Sequence, residues 1–227
     1  MLSSKGIVTE LQREILHVFA TVPDASSFYL SGGTALADFF LAHRKSFDLD
    51  LFTAEEGLAL PFSRILENVL QRSLSVNTVR RLESFVELEV GMGEDSTKVQ
   101  LAYDSPFRFE EPLDSDLEVK VNDYKDLIVD KLLAFFGRAE PRDAIDLFFI
   151  LQTEDVWELI RSAEVKDPGF DIYWLAVAFT KARGFPDDIL RWPVEMIREV
   201  DPKQLKEQFL SLAEEIMARI RASGESG

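Results

Sequence analysis

Among 227 residues there is no cysteine. That excludes disulfides and thiolate metal sites, and it fits a reducing compartment. Histidine occurs only twice, as His17 and His43, so a histidine-rich metal site is excluded and no Ser-His-acid constellation can be argued. No apolar run approaches the ~18 residues of a membrane span, and no charged-then-apolar leader is visible at the start. The expectation is a cytoplasmic protein with no membrane partner. Positive charge is scarce: 25 Lys and Arg stand against 41 Asp and Glu, for a formal net charge of −16. Such a surface repels phosphate backbones over its general area, so any polyanion must be met by a local basic site. Internal repeats are absent, and the one low-complexity stretch is the tail SGESG at 223–227, which is expected to fray.

What is present is ordinary globular material. The chain is 46% hydrophobic and 29% charged, with 18 Phe to fill cores, and its length suits one large domain or two small ones. Residues 10–20 carry Leu11, Ile15, Val18 and Phe19 on one stripe, which predicts a helix. Strands are expected at 28–33, 47–53, 75–81, 84–91, 97–104 and 117–121, with helices at 34–42 and 61–73 and a loop through SPFRFEEP. From Asp123 the pattern turns helical, at 123–138, 141–151, 154–163, 170–183 and 203–222. Strands first and helices after predict the α+β class: a mixed sheet with flanking helices over 1–122, then a helical part over 123–227.

The most informative stretch is LSGGTALADFFLAHRKSFDLDLF, Leu30 to Phe52. In a strand, residues two apart share a face. Asp48 and Asp50 therefore point one way while Leu49 and Leu51 point into the core. Two neighbouring carboxylates repel unless a cation offsets them, and Mg²⁺ (or Mn²⁺) suits oxygen ligands while keeping positions for water and phosphate. Gly32 and Gly33 lie between a strand and a helix, where glycines let a phosphate approach the backbone and a helix N-terminus offers free N–H groups. Thr34 can cap that helix or donate to a phosphate. Arg44 and Ser46 stand just before the acids, placed to hold phosphate oxygens. Taken singly, a Gly-Gly is a turn and an Asp-x-Asp is a solvated strand face; order and spacing make the combination specific.

This string resembles the nucleotidyltransferase superfamily that includes DNA polymerase beta. It is more closely similar to the AbiEii/AbiGii-type toxin family, whose pattern is Gly-Gly-Thr-Ala-Leu followed by His-Arg-x-Ser-x-Asp-x-Asp-Leu-Phe. The resemblance implies a nucleotidyltransferase-like sheet, an NTP substrate, and the toxin of a toxin–antitoxin pair with a cognate antitoxin as partner. The acceptor would be an RNA end, such as that of a tRNA, or a protein hydroxyl.

A second constellation lies in DKLLAFFGRAEPRDAIDLFFIL, 130–151. Lys131 and Arg138 are seven apart and share a helix face, and Pro141 opens the next helix. Arg142 and Asp146 are four apart, which would give an exposed pair worth only roughly 0.3–0.5 kcal/mol. Alternatively Lys131, Arg138 and Arg142 are the local basic site that an acidic chain needs for a triphosphate, with Asp143 or Asp146 orienting them. The pattern again resembles the toxin family, where the lysine and a downstream aspartate belong to the active site. The resemblance covers about 25–151.

One departure stands out. Many nucleotidyltransferases place a third acid on a later strand. The natural place here is KVQLAYD, 98–104, and the position holds Gln100. Glutamine is a neutral ligand and no base. Asp104 shares its face but lies some ~13 Å along the strand, and Glu87 and Glu89 read as solvated. The leading expectation is a metal-dependent nucleotidyltransferase. The alternative is a catalytically weakened nucleotide-binding module, or an acidic interaction protein, on the same fold.

Overall fold

The computed structural model describes residues 1–224, with side chains up to Ala222; most of the tail expected to fray lies outside the described residues. The chain forms two compact units, Met1–Leu127 and Ile128–Gly227, which part within one helix.

In the first unit, α1 (Glu10–Ala20) starts at a capping box in which Thr9 and Gln12 satisfy each other's backbone N–H groups, worth ~1 kcal/mol. Next come β1 (Phe28–Ser31), α2 (Gly32–Ala35), β2 (Asp48–Thr53), α3 (Ala59–Leu70), β3 (Ser75–Arg81), β4 (Phe85–Met92), β5 (Asp95–Tyr103), β6 (Leu113–Asp114) and β7 (Lys120–Val121). Among the described residues they make one seven-stranded sheet, ordered β3-β4-β5-β2-β1-β7-β6. The β2–β5 and β1–β7 pairs are parallel and the other four antiparallel, so the sheet is mixed.

One sheet face is apolar. Leu30, Leu49, Leu51, Val86, Leu88, Val99 and Leu101 are wholly buried on it, and α1 and α3 pack there. Phe19, Phe28 and Phe62 tie helices to sheet, with ring centroids 4.4–5.9 Å apart. The strict alternation of burial along β2 leaves Asp48 and Asp50 for the opposite face.

Two local readings change. The helix expected over 34–42 begins earlier, at Gly32, and widens into a π-helix over Leu36–Leu41 that ends on Ala42 in the left-handed region, φ 50°. Strand 117–121 shrinks to Lys120–Val121, and the two-residue β6 lies just past the expected loop, where no strand was expected.

The long helix α4 (Tyr124–Arg138) leads into the second unit, which holds α5 (Pro141–Ile150), α6 (Val156–Lys166), α7 (Ile172–Lys181) and α8 (Pro202–Gly224). Pro141 opens α5, where its missing N–H costs nothing. Asp155 and Asp171 cap α6 and α7. Phe135, Phe179 and Phe209 meet with centroids 5.0–5.4 Å apart and form the centre of this helical core. No helix among the described residues is long and apolar enough to cross a membrane.

Candidate functional site

The polar face of the sheet is built from register. Ser31 of β1 stands opposite Asp50 of β2, and Tyr29 opposite Phe52. On the other side of β2, Asp48 and Asp50 align with Lys98 and Gln100 of β5. One strand further, Gln100 aligns with Glu87 of β4 and Lys98 with Glu89. Residues opposed across a ladder share a face, so Tyr29, Ser31, Asp48, Asp50, Gln100 and Glu87 all project from the side away from α1 and α3. Asp48 and Asp50 are half-buried while Leu49 and Leu51 between them are fully buried.

The glycines fit against these acids with no room to spare. Gly32 has φ +67°, and a Cβ built on it would lie 1.9 Å from Asp50 Oδ2. A Cβ on Gly33 would lie 2.6 Å from Arg44 Nη2 and 2.8 Å from Ser46 Oγ. Asp50 thus lies against the first glycine of the turn, and Arg44 and Ser46 against the second. Arg44 is 5% exposed and donates from Nη1 to the Lys45 carbonyl. The Ser46 carbonyl accepts from Gln12 of α1. Thr34 spends its hydroxyl proton on the Asp48 carbonyl, pinning the start of β2 to α2. The hydroxyl is therefore engaged within the protein.

Gln100 stands in register with Asp50 and donates from Nε2 to Glu87 Oε2 at 3.1 Å. Glu87 is half-buried, so its reading as a solvated acid is corrected; Glu89 is exposed. The difference is the amide partner, which strand alternation cannot reveal. Asp104 is occupied elsewhere, accepting from the Tyr29 hydroxyl at 2.6 Å. Burial, then the Asp104 carboxylate, pushes the Tyr29 phenol far above its ordinary range. Arg108, passed over as part of a loop, lies with Cζ 3.9 Å from the Tyr29 ring centroid and reaches Asn122 Oδ1 at 3.4 Å. Asn122 in turn donates to Ser31 Oγ at 3.2 Å. Among the described residues Arg108 Nη2 is buried with no hydrogen-bond partner. The only available sequence signal was an arginine set between two phenylalanines.

Among the described residues no group of three or more His, Cys, Asp or Glu gathers as a metal cluster. Two carboxylates on one strand face, beside a glycine turn, nevertheless match the way Mg²⁺ is held by one or two carboxylates plus substrate oxygens.

In the second unit the charged residues pair off. Lys131 Nζ is 2.7 Å from Asp146 Oδ2, with the two side chains 9% and 0% exposed. Arg138 grips Asp143 with two parallel bonds, Nε to Oδ2 at 2.6 Å and Nη2 to Oδ1 at 2.8 Å. Arg142 lies 3.6 Å from Glu140. Each aspartate thus takes a cation from the preceding helix, as befits acids on a helix buried at every position from Asp143 to Ile150.

A family model for the nucleotidyl transferase AbiEii toxin of type IV toxin–antitoxin systems matches residues 14–219. The chain belongs to this family. Among solved structures it is similar to a candidate nucleotidyltransferase of Helicobacter pylori, at TM-score 0.59 and 18% identity over 95% of this chain and 98% of that one. JHP933 from Helicobacter pylori gives TM-score 0.56 and 17% identity over 96% and 93%. MenT4, a nucleotidyltransferase toxin of Mycobacterium tuberculosis H37Rv, gives 0.51 and 14% over 89% and 81%. At these identities the structures speak for the fold. No curated protein matches the chain. The α+β reading and the family resemblance drawn from the two motifs are both borne out.

Proposed function

We propose that this AbiEii-family chain transfers a nucleotide from an NTP to a hydroxyl group, on RNA such as tRNA or on a protein, with Asp48 and Asp50 holding a divalent cation. The observation that carries the reading is that Asp48 and Asp50 share one strand face while Gly32 packs against Asp50 and Gly33 against Arg44 and Ser46. Bound there, Mg²⁺ or Mn²⁺ would neutralise charge on the substrate phosphates. The Gly32–Gly33 backbone and the N-terminus of α2 orient the phosphates, and the Arg44 guanidinium draws negative charge. The acceptor oxygen attacks the α-phosphorus, the bond to the β-phosphate oxygen breaks, and pyrophosphate leaves. Positioning and charge stabilisation supply most of the acceleration. Lys131, with Asp146 setting its ammonium, and the Arg138–Asp143 pair are assigned to the same chemistry through the family resemblance, with Arg142 as a further phosphate contact. A toxin of this class implies a cognate antitoxin that restrains it.

Gln100 favours a second reading, in which the chain binds Mg-NTP without turnover. Both are tested by incubating the protein with each labelled NTP, Mg²⁺ and either total RNA or cell extract, beside Asp48→Ala and Asp50→Ala controls. Label transfer that disappears in the controls is the expected result, and the RNA and protein fractions report the acceptor. Binding of Mg-NTP with no transfer to either fraction would replace the first reading by the second.

A further inference from the structure

Gln100 replaces an expected carboxylate, yet the structure surrounds it with a specific arrangement. Asp50, Gln100 and Glu87 form one lateral row across β2, β5 and β4, all on the same face. Gln100 is in the middle, and its amide nitrogen is given to Glu87. The two ends of a carboxamide point apart, so once Nε2 is directed to the β4 side, Oε1 is left for the side on which Asp50 lies. A reversed amide would set Oε1 against the Glu87 carboxylate, two acceptors face to face with no proton between them. Glu87 therefore selects which atom Gln100 presents.

We infer that Glu87 is a positioning residue: it holds the Gln100 amide so that a neutral oxygen, rather than an N–H donor, faces Asp50. This rests on the reading of Asp48 and Asp50 as cation ligands. A carbonyl oxygen beside a carboxylate is unfavourable when nothing lies between, and favourable when a hard cation or a hydroxyl proton does. The pair Gln100–Glu87 then does part of what a third carboxylate would do. It supplies an oxygen and keeps the negative charge one strand further away. It does not supply a base, so the acceptor proton must leave by water or by substrate phosphate. Without Glu87 the amide is free to turn its N–H toward Asp50, where it would compete with the cation for the carboxylate.

The test is a double-mutant cycle read by metal binding as well as by transfer. Mn²⁺ affinity is measured by electron paramagnetic resonance, with and without a non-hydrolysable NTP analogue, in wild type, Glu87→Ala, Gln100→Asp and the double variant. Glu87→Ala is expected to weaken Mn²⁺ binding roughly tenfold with little change in melting temperature. Gln100→Asp is expected to tighten Mn²⁺ binding, and in that background Glu87→Ala should change it by less than twofold, because no amide remains to be oriented. Glu87→Gln should recover only part of the loss, since a second amide can accept from Gln100 but does not forbid the reversed arrangement. Equal effects of Glu87→Ala in both backgrounds, or no effect in the wild-type background, would overturn the inference and leave the cation site standing. Failure of wild type to bind Mn²⁺ in any of these states would instead remove the reading of Asp48 and Asp50 on which it rests.

Discussion

Gly32 stands so close to Asp50 that a β-carbon on the glycine would come within 1.9 Å of the carboxylate oxygen Oδ2. Two constraints coincide there, because the same glycine holds φ at +67°. Gly32→Ala must both strain the backbone, by about 1 kcal/mol, and push Asp50 off its position. Loss of at least a hundredfold in transfer activity is expected, since displacements near 1 Å at a positioned group carry that cost. Gly33→Ala meets side-chain atoms of Arg44 and Ser46 but carries no positive φ, so its effect should be smaller and fall mainly on NTP binding. Steady-state kinetics of the two variants separate these outcomes; equal effects would mean that the turn acts only as a hinge.

Much of this site was legible in order and spacing. The period-two alternation of β2 put Asp48 and Asp50 on one face, and the glycines announced a turn that tolerates no side chain. What sequence could not give was lateral neighbours. Sequence marked Gln100 only as the place of an expected third acid; that it stands in register with Asp50, and that Glu87 completes the row, depends on β5 pairing β2 and β4 without a slip. The sequence left more than one cation open for Asp146, and only packing decides for Lys131. Spacing within α5 suggested Arg142 as the partner of Asp146, whereas the lysine comes from the preceding helix through packing. Arg108 was invisible because a loop has no periodicity to say which way its side chains turn.

Lys131 and Asp146 should behave as a buried pair. Their side chains are 9% and 0% exposed and 2.7 Å apart. Removing one partner strands the other in the core, and Lys131→Met is expected to cost about 3–5 kcal/mol. The double variant Lys131→Met with Asp146→Asn should recover most of that stability while remaining inactive. Urea denaturation of the single and double variants measures the coupling; additive losses would show that the two charges do not depend on each other.

Tyr29 carries a pH signature. Burial and the Asp104 carboxylate raise its ionisation well above the ordinary phenol value, so folding favours the neutral form. The contribution is fully present below the unfolded-state value near ~10, and above it stability falls by about 1.4 kcal/mol per pH unit. In alkaline titration at 295 nm this phenolate should be absent until the chain unfolds. Tyr29→Phe should remove that late absorbance and flatten the decline. A Tyr29 signal titrating in the native protein near its ordinary range would contradict the buried geometry.

Arg108 combines a cost with an opportunity. Its guanidinium lies over Tyr29, reaches Asn122 at 3.4 Å, and buries Nη2 without a partner. An unsatisfied buried donor costs about 1–3 kcal/mol, while the cation–π contact returns about 0.5–2 kcal/mol. Arg108→Met keeps an apolar stem against the ring and removes the orphaned donor, so the melting temperature should change little. If the unused N–H instead serves a substrate phosphate beside Ser31 and the glycine turn, the same variant loses a charged hydrogen bond worth about 1.5–3 kcal/mol. That corresponds to roughly 10- to 150-fold in Mg-NTP dissociation constant. Calorimetric titration of Mg-NTP into both proteins, beside their thermal melts, decides the matter. Weaker binding at unchanged stability marks Arg108 as a substrate contact, while lost stability at unchanged binding confines it to holding the 105–112 loop on the sheet.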